Sequence, residues 1–442
     1  MTPSFPSDPP ASVVAGHGGL PAERDLAVDL ARVFAVVVVV TTHLLMVGVR
    51  IDPVAGIVIS QPLTSQSWFP VATLFLQIMP LFFVLGGFAS LTGWRSLEGR
   101  GGSSADYIRS RIARLVRPAI VVFVFFAVAI NAALLADVPA GFVDGVVAGI
   151  GTPLWFLAAY VLCQWCVPFM ARLHAEAPVG TLAGLAAAAV GVDAVRFSTG
   201  LEPVGLLNMA FVWLFVQQLG FLYADGWFFR FSRGAVVAIG SSAILVLAAL
   251  VLAGLYVPDM LANLNPPTVP LMLLGVIQLC VLVLSRSALA RLMRRRTPRA
   301  VVFLFGSRLM TIYLWHMIGL VSVTGATLLI PGAAPDPATA AWWASRPLML
   351  IATFALVLLW SRVVGRFETA PVRPRRNGEE VSLSNATLAA AAVFVPMLYV
   401  TRFGLDGYAA LAAALLLPAA LWLVQPRASV TGRAMLASGR MG

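Results

Sequence analysis

The run LARVFAVVVVVTTHLL, residues 30–45, places a guanidinium at Arg32 and an imidazole at His43 inside an otherwise apolar stretch. A second run, FLFGSRLMTIYLWHMIGL, carries Arg308 and, eight residues later, His316. The planar fork of arginine donors suits phosphate and pyrophosphate. Histidine suits proton transfer near neutral pH. Together these residues could bind an anion and carry out acid–base chemistry. Arg32 and His43 are eleven positions apart. At about 100° per residue, that separation is about 20° from three full helical turns, so both side chains leave one face, about 16 Å apart along the axis. Asp29 precedes Arg32 by three residues and can pair with it on that face. A charge in hydrocarbon costs about 2.5–3.5 kcal/mol on insertion scales, so such groups face a bundle interior or a wet cavity. The plainer reading is a structural Asp29–Arg32 pair and hydrogen-bonded core histidines.

The elements that hold these residues follow from composition. The chain has 442 residues, of which 60% are hydrophobic and 11% charged, against about 25% charged in soluble proteins. Apolar runs of about 20 residues, each long enough to cross a bilayer as a helix, recur along the chain. The pattern predicts an all-α polytopic transmembrane bundle with spans at 26–49, 69–93, 115–136, 153–170, 179–195, 204–224, 235–256, 268–285, 301–328, 347–364, 386–401 and 407–424. The alternation of a β-barrel is absent. The polar, charged linker VRPRRNGEEVSLSN divides these spans into a ten-span core, residues 23–370, and two further spans at 386–425, with the linker at 371–385. Residues 1–22, rich in Pro, Ser and Gly, read as a disordered tail without a secretory signal, and 426–442 as a second tail.

The net charge of +11 comes from 30 basic residues, all arginine. The arginines gather in alternate loops (94–117, 225–234, 286–299, 362–376 and the C-terminal tail), whereas 137–152 and 257–267 have none. This marks orientation in a lipid bilayer rather than nucleic-acid binding, and predicts a multi-pass protein of the cell membrane with both termini cytoplasmic. Arg50, Arg196, Arg346 and Arg402 are exceptions near span ends, where a long side chain can snorkel. In this orientation Arg32 lies toward the cytoplasm, and His43 and His316 lie at similar depths toward the outside. No metal ligand set accompanies the CQWC motif, so Cys163 and Cys166 read as apolar helix residues.

These residues resemble the membrane acyltransferase-3 family. Arg32 and His43, with Asp29 before them, match its first-span pattern. MPLFFVLGGFAS (79–90), YIRSRIARLVRP (107–118), PLWFLAAY (153–160) and IYLWHM (312–317) are similar to its later motifs, in the same order over about residues 24–365. The resemblance implies an O-acyltransferase that takes an acyl group, commonly acetyl, from cytoplasmic acyl-CoA. The acceptor would be a carbohydrate, glycolipid or natural-product hydroxyl at or beyond the outer face. Acyl-CoA would be a donor substrate, with no permanently bound cofactor and no metal. By this resemblance Arg32, Arg111 and Arg114 would hold the CoA phosphates, and His43 would act as general base or acyl relay. His316 would line the acyl path or orient the acceptor, with Arg308, Tyr313, Trp155 and Trp315 along the substrate path. The chain departs from some members in lacking a hydrolase-like extension, which leaves the acceptor open. A different class also fits: a twelve-span proton-coupled secondary transporter with His43, His316 and Asp29 as a proton relay.

Other polar residues admit structural roles. Gly86 and Gly87 suit close helix packing. Asp193 and Arg196 can form an outer-edge ion pair. Asn208, Gln217 and Gln218 can bind substrate or join helices.

Overall fold

A computed structural model describes residues 25–54, 56–369 and 379–428. The tail at 1–22, the linker up to residue 378 and the chain beyond 428 lie outside the described residues. The helices are α1 (Leu26–Met46), α2 (Phe69–Leu76), α3 (Met79–Glu98), α4 (Ser104–Leu135), α5 (Ala140–Gly151), α6 (Trp155–Glu176), α7 (Pro178–Thr199), α8 (Asn208–Ala224), α9 (Arg233–Leu252), α10 (Val269–Leu292), α11 (Arg296–Gly306), α12 (Leu309–Leu328), α13 (Ala340–Val364), α14 (Arg366–Thr369), α15 (Leu383–Phe403) and α16 (Gly407–Leu423). Two antiparallel strands, β1 (Gly48–Asp52) and β2 (Gly56–Ser60), form a hairpin after α1, and the short β3 (Glu379–Glu380) pairs with β4 (Arg427–Ala428).

Among the described residues, eleven helical segments are long and apolar enough to cross a membrane, and α16 is a shorter apolar helix. The chain is therefore a multi-pass all-α bundle. Every expected span coincides with one of these helices, but several boundaries differ for identifiable reasons. The basic stretch 107–118 is helical, not a loop, because Ser103 and Asp106 form a reciprocal capping box that starts α4 well before its apolar part. The second span is interrupted at Gln77. There Gln278 of α10 accepts from the Leu81 amide at 2.7 Å and donates to the Gln77 carbonyl at 2.8 Å, satisfying groups that the break exposes.

The ninth span is broken as well. It divides into α11 and α12 at Ser307–Arg308, and Glu368 of α14 caps the new helix start by accepting from Met310 N at 3.0 Å and Thr311 N at 3.1 Å. Arg308 donates to the Gly365 carbonyl at 2.9 Å. It therefore lies at a helix terminus, not at mid-depth in a continuous span. Arg346, expected to snorkel, is instead buried within α13, with its guanidinium 4.2 Å from the Trp342 ring centroid. Asp193 and Arg196 do not pair with one another. Arg196 binds Glu202 at 2.6 Å, while Asp193 accepts from Asn208 at 2.7 Å, Tyr256 at 2.8 Å and Val269 N at 3.0 Å.

α1 packs against α3, α10, α11, α12 and α13, which makes it the inner helix of the site region. α3 and α8 cross closely at glycines. A Cβ on Gly87 would overlap the Gln217 carbonyl, and one on Gly220 would overlap the Val84 carbonyl, so the backbones approach as small-residue membrane contacts do. Gln217 and Gln218 donate to the carbonyls of Cys163 and Met170, joining α8 to α6. The two C-terminal helices pack on the bundle, α15 against α6 and α4 and α16 against α4. Replacing Gly220 by Leu forces side-chain atoms into backbone. Overpacking costs typically about 1–3 kcal/mol, and since neither neighbour is a movable side chain the expected outcome is a lowered melting temperature in detergent, followed by fluorescence-detected size exclusion.

Candidate active site

His43 lies in the last turn of α1, and His316 is buried in the middle of α12. His316 Nε2 is 3.1 Å from His43 Nδ1, and the ring centroids are 5.1 Å apart. His316 Nδ1 is 2.6 Å from the backbone carbonyl of Tyr313. A carbonyl only accepts, so His316 carries its proton on Nδ1 and presents a bare Nε2 when neutral. His43 must then donate from Nδ1. Its own Nε2 is left with a lone pair and no proton, as a base requires. Tyr313, one turn before His316, packs edge-on to Phe156 at 4.9 Å and donates its hydroxyl to the Pro153 carbonyl at the start of α6. This fixes the α12 backbone that holds His316.

Between Arg32 and His43 the same face of α1 carries Val36, Val39 and Val40. With Met79, Phe82, Phe156 and Tyr313 they line a small apolar cavity of about 10 Å³ against His316. That is close to the smallest volume that admits one water-sized group.

The arginines sort into held and unheld. At the face where α1 begins, Asp25 accepts from Arg286 at 3.1 Å and from Tyr223 at 3.3 Å. Nearby in the sequence, Asp225 accepts from Arg95 and lies 3.1 Å from His174 Nε2. Arg109 donates to the Val424 carbonyl at 3.2 Å. Arg32, by contrast, has no ion-pair partner among the described residues, so the expected Asp29–Arg32 pair is not formed; Asp29 is engaged by another group. Arg114 is exposed. Arg111 is half-buried over the Tyr107 ring, 4.9 Å from its centroid, and its Nε is buried without a partner. Tyr107 in turn donates to Gln164 at 3.0 Å, and Gln164 donates to Ser90 at 2.9 Å, linking α4, α6 and α3 beneath that arginine.

Two of the path residues stand elsewhere. Trp155 is buried and stacks on Trp213 with centroids 5.4 Å apart, as a core residue. Trp315 faces away from the histidines, against Trp360 at 5.0 Å and Phe125 at 5.5 Å. Arg308 is held at the helix break described above. The structure thus brings together His43, His316 and Tyr313, leaves Arg32 lower on the same face of α1, and sets Arg111 and Arg114 on α4. Sequence reading passed over the Ser90–Tyr107–Gln164 network and the Glu368 cap. A lone Gln inside CQWC was the available signal for the first. Nothing local marked Glu368, whose partners are nearly sixty positions away.

A family model for the acyltransferase domain, of the acyltransferase-3 family, matches residues 25–363. The chain belongs to that family and is a membrane acyltransferase. No curated protein and no solved structure matches it.

Asp225 lies just past the end of α8. Burial opposes its charge, but the hydrogen bond and charge of Arg95, with help from His174, hold its carboxyl below the usual carboxylate range. A depressed carboxylate pKa adds stability that is present above the unfolded value and lost as pH falls through the folded one. The acid side of a stability-versus-pH curve, read by thermal unfolding, is therefore expected to flatten in Asp225→Asn, with lower stability than the parent at neutral pH and convergence in acid.

Proposed function

We propose that the protein is an integral membrane O-acyltransferase that moves an acetyl group from cytoplasmic acetyl-CoA to a hydroxyl at or beyond the outer membrane face, on a carbohydrate, glycolipid or natural-product acceptor. The observation that carries this reading is the His43–His316 pair, with the unprotonated Nε2 of His43 at its free end, set about 16 Å beyond an arginine that has no ion-pair partner among the described residues. Arg32, Arg111 and Arg114 have no carboxylate partner among the described residues, so their guanidinium donors can serve phosphates of the donor. The arginines held by Asp25 and Asp225 are not available in that way.

In the proposed step His43 Nε2 takes the proton of the acceptor hydroxyl as its oxygen attacks the thioester carbonyl. The C–S bond breaks, an ester C–O bond forms, and CoA leaves as a thiolate that recovers the proton. His43 can pass its Nδ1 proton to His316 Nε2 during the step, which spreads the positive charge over two rings. The Tyr313 carbonyl stabilises the charge that reaches His316. This is the logic of a base oriented by a further group. The cavity beside His316 is apolar and only about 10 Å³, which favours a short acyl unit such as acetyl over longer ones.

His43→Ala is expected to abolish transfer with acetyl-CoA affinity largely kept; full turnover in that variant would overturn its role as base. Arg32→Ala is expected to insert normally and to weaken acetyl-CoA binding about tenfold or more, consistent with about 1.4 kcal/mol per decade. Binding to the purified protein by isothermal titration checks the second, and acetyl transfer checks the first. Val40→Ala, which widens the small cavity, is expected to raise the use of propionyl-CoA relative to acetyl-CoA, read as the ratio of kcat/KM values.

A further inference from the structure

A second and larger cavity, of about 270 Å³, lies between the β1–β2 hairpin, α5 and the far half of α12. Its wall is almost wholly apolar. Two of its lining residues neighbour the histidines in the chain: Val47 comes four residues after His43, and Met317 directly follows His316. Among its lining residues Phe142 and Leu329 are exposed on the bundle surface, with Leu329 at 85%. One polar side chain, Thr324, is among its lining residues. Thr324 is 8% exposed and its hydroxyl has no hydrogen-bond partner. Thr42 in α1 shares this state, but three other helical threonines do not. Thr92, Thr353 and Thr401 each donate to the carbonyl four residues earlier, at 2.8, 2.8 and 2.7 Å. A buried hydroxyl without a partner costs free energy unless something supplies one.

The hairpin divides this cavity from a polar one. Strand alternation and the register Val49↔Ile59, Ile51↔Ile57 put four apolar side chains on the cavity side. Arg50 and Ser60 point to the other side. With Gln61, Ser65 and Asp336 they line an open cleft of about 460 Å³. Arg50 is only partly engaged, by Asp52 at 3.0 Å. An apolar chamber and a polar cleft lie on opposite faces of one hairpin, which begins five residues after His43, and this is the complement of an amphipathic molecule.

We propose that the 270 Å³ cavity seats the hydrocarbon chain of a membrane-borne acceptor, with its hydroxylated head group in the polar cleft on the other face of the hairpin. The proposal rests on the acyltransferase reading above and selects, among its acceptor classes, one carrying an alkyl or isoprenyl chain. The Thr324 hydroxyl serves the polar atom at the head of that chain. Water-soluble sugars without a chain would lack half of the site.

The test uses the full chain in phosphatidylcholine nanodiscs and a long-chain alkyl glycoside bearing a diazirine on its chain. After irradiation, label is expected on peptides covering residues 142–150 and 317–329, and it is expected to fall at least tenfold when unmodified alkyl glycoside is added. Gly325→Leu fills the cavity. A Cβ at Gly325 meets no atom within 4 Å, so the variant is expected to fold. It should lose at least tenfold of the labelling while its acetyl-CoA binding is unchanged. Gly184→Leu, on α7 and likewise free of contacts, should label as the parent does. Equal labelling of the same peptides by a diazirine phosphatidylcholine would overturn the proposal, since the cavity would then hold ordinary bilayer lipid. So would labelling that survives in Gly325→Leu. Acetyl-CoA binding by the parent, measured on the same sample, reports on the donor assignment separately.

Discussion

Hydrocarbon offers no water to an amide, a carbonyl or a charge, so each polar group that enters the bilayer must find its partner inside the bundle. Much of the packing of this chain answers to that constraint. Where the second span breaks, Gln278 reaches across from α10 to both sides of the gap. Where the ninth breaks, Glu368 closes the new helix start and Arg308 is tied to the carbonyl of Gly365. Gln164, Gln217 and Gln218 are fully enclosed and each spends its donors on a neighbouring helix. Eight buried side-chain atoms among the described residues have no partner, the amide oxygens of Gln217 and Gln218 among them, and two of the eight, on Arg111 and Thr324, belong to residues given a role in the proposed chemistry.

The histidine pair is the most economical case. Two imidazoles and a backbone carbonyl satisfy one another in a line from His43 through His316 to Tyr313. The line leaves one acceptor nitrogen unused at the end nearer the hairpin. A charge is not needed to hold this arrangement, which suits an apolar surrounding where desolvated charge is costly. The same line can take up a proton during a reaction and share it. Stability and reactivity therefore come from one set of contacts.

The position of Arg32 makes a contrast with the arginines that stabilise the fold. Arg95 and Arg286 clamp Asp225 and Asp25, tying α3, α1 and α10 to the end of α8 and its following turn. Arg32 sits one and a half turns into α1 with no such partner among the described residues. A guanidinium kept partly buried and uncommitted is retained at a cost, which a phosphate-bearing donor would offset when it binds.

The helical class, the position of nearly every span and the common face of Arg32 and His43 were legible in the chain itself, because apolar run length and the 3.6-residue repeat are local quantities. The ordered motifs also marked the family before any helix was placed. What the chain could not display is anything that joins distant segments. That His43 meets His316, 273 positions away, rests on how α1 packs against α12. The same holds for the departure of Trp155, Trp315 and Arg308 from the expected path, since helical phase alone does not say which neighbour a face meets. The breaks at Gln77 and Ser307 have local signals, Pro80 for the first and Gly306–Ser307 for the second, but Gln278 and Glu368, which satisfy the groups each break exposes, belong to other elements. Local composition determined the helices and their chemistry; which side chains share a site was decided only when the helices packed.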